Sequence, residues 1–330
     1  MTKRILLIAL CAIMVLAAGC KSKPSTEKMT PEEILQVLDI KISKNKNDAT
    51  LYYDRAKILV DMHRYNEAIS DLTNAIRLKD DKIEYYILMG DAQFANGNVD
   101  QSYKALQSAL KLDEENQEAN LKMGEIAFYS RDYDRAFESL TKVTAKDPNN
   151  RTALFMKGFV YKETGDTVSA ITLFQKVCDL YPTYAPAFEE LGILYADHKN
   201  KLALEFLTTA IELDPQNTSA RYGLAMFYQD MGEMESAEET YKQLLDIDAN
   251  DKDAWHNRGY IQAFFYGDYE LAIEYYTKAL QIDNQFIEAY VNRGAAYELN
   301  GDKANAQNDY KTALSLDPNY KPALEGLKRL

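Results

Sequence analysis

An all-α solenoid is the fold class that this sequence of 330 residues predicts, and three regularly spaced residue types carry the prediction. An alanine stands twelve residues before each of four prolines, and a glycine stands 23 or 24 residues before each. Stacked copies of one small helical unit produce such spacing, because each copy buries its apolar face against the next. The four prolines are Pro148, Pro182, Pro215 and Pro318, at successive steps of 34, 33 and 103 residues, the last step being three units of about 34.

Eight consecutive units of about 34 residues follow from this period. The fifth unit is one residue short and the seventh is one residue long. Places in the repeat are counted below from the first residue of each unit. The units span residues 49–82, 83–116, 117–150, 151–184, 185–217, 218–251, 252–286 and 287–320.

The last of these units has Gly294, Ala306 and Pro318 at places 8, 20 and 32, and in these and other places it resembles the tetratricopeptide repeat. This resemblance extends over residues 49–320 and implies two antiparallel helices per unit. The helix pairs would stack into a right-handed α-solenoid superhelix. The residues of the last unit that match the family pattern are Tyr290, Gly294, Tyr297, Ala306, Tyr310, Ala313 and Pro318.

Small residues are expected where the two helices of a repeat approach each other. We expect place 8 of the first helix to meet place 20 of the second, so that a side chain larger than alanine would push the helices apart. Glycines in the turn between the helices suit a left-handed backbone. The small residues at the two helix places are Gly90, Gly124, Gly158, Gly192, Gly259, Gly294, Ala68, Ala136, Ala170, Ala203, Ala237, Ala272 and Ala306.

Short helices are predicted at both ends of the repeat array. Thr30, Pro31 and Glu33 match the start of a helix. The threonine would cap the helix, the proline would occupy its first position, and the glutamate would accept a hydrogen bond from the backbone N–H of the threonine. We therefore expect a capping helix within residues 31–48. At the other end, residues 321–330 begin a further apolar helix and form a short cap on the final repeat.

Two repeats depart from the pattern. The fifth has the polar residues 197–201 in place of a turn glycine, and the seventh has an extra residue within 263–267. Drift of the repeat sequence is the simpler interpretation. The alternative is a helical bulge in the seventh repeat, a feature that is frequent at functional sites.

The N-terminus resembles the signal of a bacterial lipoprotein. Lys3 and Arg4 precede fourteen uncharged residues, 5–18, which are too few to span a bilayer as a helix. Small residues then lead to Cys20, as in the lipobox of that family. The resemblance implies that residues 1–19 are a signal peptide and that Cys20 is lipidated. An ordinary signal peptide followed by a chance cysteine is the alternative.

A lipid on Cys20 would anchor the chain to a membrane. Residues 20–30 are polar and predict a flexible tether between the lipid and the first helix. Lys21 follows the cysteine directly and, by resemblance to enterobacterial sorting, favours the outer membrane. We therefore expect a lipid-anchored protein of the bacterial envelope that faces the periplasm.

The charge of the chain limits the classes of partner. The formal charge is −13, and removal of Lys3 and Arg4 would leave 36 basic against 51 acidic residues. So acidic a surface repels phosphate backbones, which argues against a nucleic-acid partner. A basic partner would be attracted, although an acidic surface also serves solubility alone.

The resemblance also implies a concave groove that binds proteins or peptides, lined by places 2, 5, 9, 12 and 13 of the first helices. Aromatic anchors surrounded by polar groups are what a binding hot spot needs. Packing between repeats is the alternative role for any one of these side chains. The basic residues with which some family members clamp a carboxylate terminus are absent. The candidates are Tyr53, Lys57, Phe94, Phe128, Tyr129, Phe155, Phe159, Tyr222, Met226, His256, Tyr260 and Phe264.

The sequence predicts no catalytic residue, metal site or cofactor. His63, His198 and His256 lie in separate repeats, and none neighbours another histidine or a cysteine at ligand spacing. Cys178 falls on an apolar helix face, as expected of a buried thiol. No glycine-rich phosphate loop or nucleophile motif occurs.

These features predict a membrane-anchored scaffold that binds other envelope proteins, rather than an enzyme. Lipoproteins of this design resemble adaptors for peptidoglycan-processing enzymes and assembly factors of secretion complexes, and the residues do not separate the two. A self-associating structural scaffold is one alternative. Glycan binding through some of the 24 tyrosines is another.

Overall fold

The computed structural model describes residues 29–330. The predicted signal peptide, Cys20 and the tether up to residue 28 lie outside the described residues. The described part of the chain is all-α, with eighteen α-helices and one π-helical segment. No helix among residues 29–330 combines the length and the apolar character that crossing a membrane requires.

The helices follow one another in pairs, two to each predicted repeat. The chain divides after Tyr85 into two compact units. The helices are α1 (Pro31–Lys44), α2 (Ala49–Asp61), α3 (Tyr65–Leu78), α4 (Ile83–Ala95), α5 (Val99–Leu112), α6 (Gln117–Tyr129), α7 (Tyr133–Lys146), α8 (Arg151–Glu163), α9 (Thr167–Leu180), α10 (Ala185–Asp197), α11 (Leu202–Leu213), α12 (Thr218–Asp230), α13 (Met234–Ile247), α14 (Lys252–Ile261), α15 (Tyr269–Ile282), α16 (Ile287–Leu299), α17 (Lys303–Leu316) and α18 (Lys321–Arg329).

The first helix begins at a capping box. The Thr30 hydroxyl accepts from the Glu33 backbone N–H at 3.3 Å, and the Glu33 carboxylate accepts from the Thr30 backbone N–H at 2.7 Å. Two N–H groups that have no partner within the helix are thereby satisfied. The helix buries Leu35, Leu38 and Ile42, so it covers the apolar face of the first repeat as a cap should.

The two helices of a repeat approach each other closely at the glycine of place 8. The nearest neighbour of that glycine is not the alanine at place 20 that the sequence led us to expect. A Cβ atom added at Gly124 would lie 2.7 Å from the Leu140 side chain, whereas the Ala136 backbone oxygen is 3.5 Å away. At Gly158 the nearest atom is 2.5 Å away, on the Phe174 ring. Place 8 therefore faces the large residue at place 24 more closely than the alanine at place 20. The glycine makes room for a bulky core side chain, and the alanine brings the second helix close.

The turns between paired helices use left-handed backbone. The five turn glycines have φ between 73° and 83°. Three repeats without a turn glycine place His63, Arg131 and Lys199 at φ 60°, 60° and 52° instead. This conformation costs a non-glycine residue about 1 to 2 kcal/mol, which the packing of both helices offsets. The turn glycines are Gly97, Gly165, Gly232, Gly267 and Gly301.

The extra residue of the seventh repeat is absorbed by a π-helical segment. Helix α14 ends at Ile261 and continues directly into Gln262–Tyr266. The Gln262 carbonyl then accepts from the backbone N–H groups of both Gly267 and Asp268. A π-helical turn holds one more residue than an α-helical turn. The second helix of this repeat, α15, therefore begins at the same point of the fold as the second helices of the other repeats.

Arginine–carboxylate pairs hold the helix pairs of the first and last repeats together. Arg55 donates to both oxygens of Asp71 at 2.6 Å, and Arg293 donates to both oxygens of Asp309 at 2.8 Å. Both pairs join place 7 to place 23, and both aspartates are buried. Two parallel hydrogen bonds fix the geometry as well as the charge, so these pairs set how the two helices align.

Candidate protein-binding surface

Five predicted groove residues form one continuous run of ring contacts, which we call the aromatic ladder: Phe94, Tyr129, Phe128, Phe159 and Phe155. Consecutive ring centroids are 6.1, 5.8, 5.9 and 4.8 Å apart. These spacings are typical of interacting aromatic pairs. The run passes from α4 through α6 to α8, and so connects the first helices of the second, third and fourth repeats.

The ladder rests on the buried core of the fourth repeat. Phe174 is fully buried, and its ring lies 5.4 Å from the rings of both Phe155 and Phe159. Beyond Phe155 the run reaches Tyr184 at 5.2 Å, where the Arg151 guanidinium lies 4.5 Å from the tyrosine ring. Because core side chains fix the rings from behind, their exposed edges form a preorganised surface.

The exposed end of the ladder is Tyr129, whose side chain is 70% exposed. The other four rings are half-buried. An aromatic side chain offers large contact area at low entropy cost, because it has only two rotatable bonds. The ladder therefore combines one freely accessible ring with four rings that are already held in place.

Paired charges lie on the first helices of the second to fifth repeats. The Lys122 ammonium is 3.5 Å from Asp91 and 3.2 Å from Glu125, and Lys162 donates to Glu190 at 2.6 Å. Burial raises the pKa of Asp91 and of Glu190, and the neighbouring lysine opposes the rise in each case. Half-buried ion pairs beside aromatic side chains give a polar border to an apolar strip, as hot spots require.

Two other candidates, Tyr222 and Met226, contact a residue of the seventh repeat that the sequence did not single out, Asn257. The Asn257 amide donates to the hydroxyl groups of Tyr222 at 3.1 Å and Tyr241 at 3.0 Å, and to the Met226 sulfur at 3.5 Å. Tyr222 and Met226 are thus tied to the next repeat. Their exposed edges remain at the surface, because both are half-buried.

His256 also joins two repeats. Its Nε2 lies 2.9 Å from the Asn292 amide nitrogen, and its ring is 5.4 Å from Tyr276 and 5.0 Å from Phe286. Burial lowers the pKa of His256, which keeps the imidazole neutral at pH 7 so that it can accept from the amide. Asn257 and Asn292 share place 6 of their repeats, and that repetition is the signal that could have identified them.

The remaining candidates lie apart from the ladder. Tyr260 and Phe264 pack ring to ring at 5.0 Å at the end of α14. In the first compact unit, the Lys57 ammonium lies 4.7 Å from the Tyr53 ring, and Tyr53 lies 4.8 Å from Tyr85. Each pair is a local contact, so the structure gathers the twelve candidates into separate groups.

The cysteine among the described residues is buried, and His63 and His198 have hydrogen-bond partners within the protein. Cys178 is a buried free thiol, and burial raises its pKa to about 12, so it is not a thiolate at neutral pH. His63 lies 2.7 Å from the Tyr65 hydroxyl, and His198 lies 2.8 Å from the Leu194 carbonyl. Residues 29–330 contain no group of three or more His, Cys, Asp or Glu side chains placed to hold a metal ion.

Comparison with protein families finds tetratricopeptide repeats along most of the described chain. The model of the cytochrome c-type biogenesis protein H TPR domain matches residues 65–187. Two tetratricopeptide repeat models match residues 194–257 and 287–320, and a TPR repeat model matches residues 266–301.

Solved structures share this architecture, and a curated relative matches part of the sequence. A tetratricopeptide repeat protein from Parabacteroides merdae has a TM-score of 0.56 at 22% identity, over 74% of this chain and 97% of that one. A chain of the APC/C hetero-tetramer Cut9–Hcn1 has a TM-score of 0.55 at 18% identity, over 90% of this chain and 59% of that one. Superkiller protein 3 of Schizosaccharomyces pombe is 29% identical over 144 residues, which are 42% of this chain and a tenth of that protein.

Proposed function

This chain is a tetratricopeptide-repeat protein and so a protein–protein interaction scaffold, and we propose that it binds a partner protein or peptide along the aromatic ladder. The partner would lie across the first helices of the second, third and fourth repeats, where Tyr129 is the accessible anchor. The paired charges on those helices would contact its polar groups. An extended segment with apolar side chains fits a strip of aromatic rings best.

One observation supports this choice of surface above the other candidate positions. The five rings contact each other in sequence across three repeats, and the rings of Phe155 and Phe159 lie against the buried Phe174, which does not need the partner. A surface preorganised in this way loses little side-chain entropy on binding. In the sixth and seventh repeats, by contrast, the hydroxyl groups of Tyr222 and Tyr241 already accept hydrogen bonds from Asn257 of the same protein.

The proposal is tested by chemical cross-linking and capture from native envelopes with the full chain and a Phe94→Ala/Tyr129→Ala variant. The matched control is Val168→Ala, which removes an exposed apolar side chain of α9 outside the ladder. We expect the wild type and the control to capture the same small set of proteins and the ladder variant to lose it. Equal capture by all three proteins, with unchanged thermal unfolding, would reject the ladder as the binding surface.

We further propose that a lipid on Cys20 anchors the scaffold to the outer membrane of a bacterial envelope, facing the periplasm. The lipobox-like residues before Cys20 and the polar segment after it support this arrangement. Confinement to a thin layer beside a membrane raises the effective concentration of the scaffold for envelope partners. Replacement of Cys20 by serine should move the protein from the membrane fraction to the soluble fraction, and retention in the membrane fraction would reject lipid anchoring.

A further inference from the structure

The seventh repeat carries a second aromatic surface, which we call the aromatic patch: Tyr260, Phe264, Phe265 and Tyr266. Their side chains are 41%, 48%, 57% and 45% exposed. The Tyr260 and Phe264 rings lie 5.0 Å apart, and the Phe265 and Tyr266 rings lie 5.1 Å apart. Within residues 29–330, these are four of the five exposed aromatic side chains, Tyr129 being the fifth.

The π-helical segment explains why these rings are exposed. Phe264, Phe265 and Tyr266 belong to the segment Gln262–Tyr266, which holds the extra residue of this repeat. In the regular fourth repeat, the end of the first helix is polar and reads Lys162-Glu163-Thr164. A soluble surface rarely gathers exposed aromatic residues in this way unless they bind something.

The surroundings of the patch are strongly acidic. Residues 227–274 contain twelve acidic and three basic residues, a formal charge of −9 out of −13 for the whole chain. Each of the three basic side chains already contacts a carboxylate: Lys242 with Glu239, Lys252 with Asp283 and Arg258 with Glu238. This stretch therefore has a large uncompensated negative charge.

Glu235 and Glu238 of α13 influence Tyr266 electrostatically. Partial burial raises the pKa of Tyr266, and the charges of Glu235 and Glu238 raise it further. Their negative potential therefore reaches the ring that lies at the end of the π-helical segment. Aromatic faces and carboxylates both attract lysine and arginine side chains, the first through the ring quadrupole and the second through charge.

We propose that the aromatic patch docks a lysine- or arginine-rich segment of a partner protein. The cations of that segment would lie on the faces of Phe265 and Tyr266, and its charge would complement Glu235 and the other acids of residues 227–274. An anionic lipid surface would be repelled by the same charge. This surface is separate from the aromatic ladder, and neither requires the other in order to bind.

The test uses the full chain and a short fluorescein-labelled peptide of alternating lysine and serine, followed by fluorescence anisotropy. We expect binding that weakens about tenfold in Phe265→Ala/Tyr266→Ala, since two cation–aromatic contacts are lost. Glu235→Gln should weaken it about twofold and reduce its dependence on salt. Val168→Ala and the ladder variant Phe94→Ala/Tyr129→Ala should bind as the wild type does, and a glutamate–serine peptide should not bind.

Three results would overturn the proposal. The lysine peptide fails to bind the wild type, it binds Phe265→Ala/Tyr266→Ala with wild-type affinity, or it loses affinity only in the ladder variant. A fourth result assigns the patch to a lipid surface instead: the chain sediments with phosphatidylcholine vesicles, and only the patch variant stays in solution. Because the ladder variant is assayed in parallel, failure of this proposal is distinguishable from failure of the ladder as a binding surface.

Discussion

Phe159 in the fourth repeat and Tyr260 in the seventh occupy the same place 9 of the tetratricopeptide repeat, yet their surroundings differ. Phe159 is half-buried and contacts the rings of Phe128, Phe155 and the fully buried Phe174. Tyr260 is exposed, and its ring partner is Phe264, which is also exposed. The place in the repeat therefore does not decide whether an aromatic ring is part of the core or part of the surface.

The residues around each place make the difference. The fourth repeat has the regular 34-residue length, and its rings lie against the second helix of their own repeat. The seventh repeat carries one extra residue, and the π-helical segment that absorbs it presents three more rings to solvent. The inserted residue thus accounts for the difference between the half-buried rings of the fourth repeat and the exposed rings of the seventh.

The largest expected change in stability comes from displacing Phe174, the buried ring on which the ladder rests. In Gly158→Leu the new side chain would displace Phe174, because even a Cβ atom at this position lies 2.5 Å from that ring. Overpacking of this kind should cost about 3 kcal/mol of unfolding free energy. Urea unfolding measures the loss, and partner capture along the ladder should fall with it.

Another helical glycine, Gly223 at place 6 of the sixth repeat, provides the control. A Cβ atom at Gly223 would have its nearest neighbour at 3.5 Å, an ordinary van der Waals distance. Gly223→Ala should therefore be neutral or stabilising by up to about 1 kcal/mol, because alanine favours the helix. Equal destabilisation by Gly158→Leu and Gly223→Ala would contradict the packing described for the fourth repeat.

Removing one ring from the ladder and one from the patch should change the unfolding free energy by different amounts. Phe155→Ala removes a half-buried ring that contacts Phe174 and Tyr184, and should cost about 2 to 3 kcal/mol. Phe265→Ala removes an exposed ring and should change stability by less than about 0.5 kcal/mol. Urea unfolding of the two variants tests the difference. Similar losses in both would mean that the patch packs as firmly as the ladder.

Deletion of Phe265 tests whether the patch depends on the inserted residue. The deletion restores a 34-residue repeat with its glycine at the usual turn place, so the π-helical segment should become α-helical. We expect unfolding free energy to change by less than about 1 kcal/mol, while binding of the lysine peptide is lost. A large loss of stability would show that the π-helical geometry is required by the fold itself.

The smallest expected effect concerns pH. Burial lowers the pKa of His256 below 6.5, the ordinary value, so the unfolded chain binds more protons than the folded chain as pH falls through that range. Stability contributed by neutral His256 is therefore present above pH 6.5 and is lost below it. Thermal unfolding of His256→Gln should depend less on pH between 7 and 5 than that of the wild type or His63→Gln. Identical pH profiles for all three proteins would contradict this role.

Much of the fold could be predicted from the sequence, because the period constrains local structure directly. The turn glycines have the left-handed backbone that the sequence predicts, and Cys178 is buried as its apolar surroundings indicate. The capping box at Thr30 also follows from a few neighbouring residues. The bulge in the seventh repeat was only the alternative to sequence drift, and the π-helical segment Gln262–Tyr266 confirms that alternative. The sequence missed one packing detail, that the side chain nearest to Gly158 is Phe174 at place 24.

The grouping of the surface residues could not be predicted in the same way. The family pattern names places on a helix, but whether Phe128 meets Phe159 depends on how neighbouring repeats cross and which rotamers their side chains adopt. Asn257 was missed because its place is not among the groove places. Its role depends on Tyr222 and Met226 of the preceding repeat, which lie 35 and 31 residues away along the chain.

Site-specific photo-cross-linking in living cells tests the central claim most directly. A photoreactive phenylalanine analogue replaces Tyr129 on the ladder in one strain and Val168 in another, two side chains that are 70% and 77% exposed. If the ladder binds a partner protein, position 129 yields a discrete cross-linked product and position 168 does not. The absence of a product at position 129, or the same product at both positions, would contradict the ladder as the binding surface.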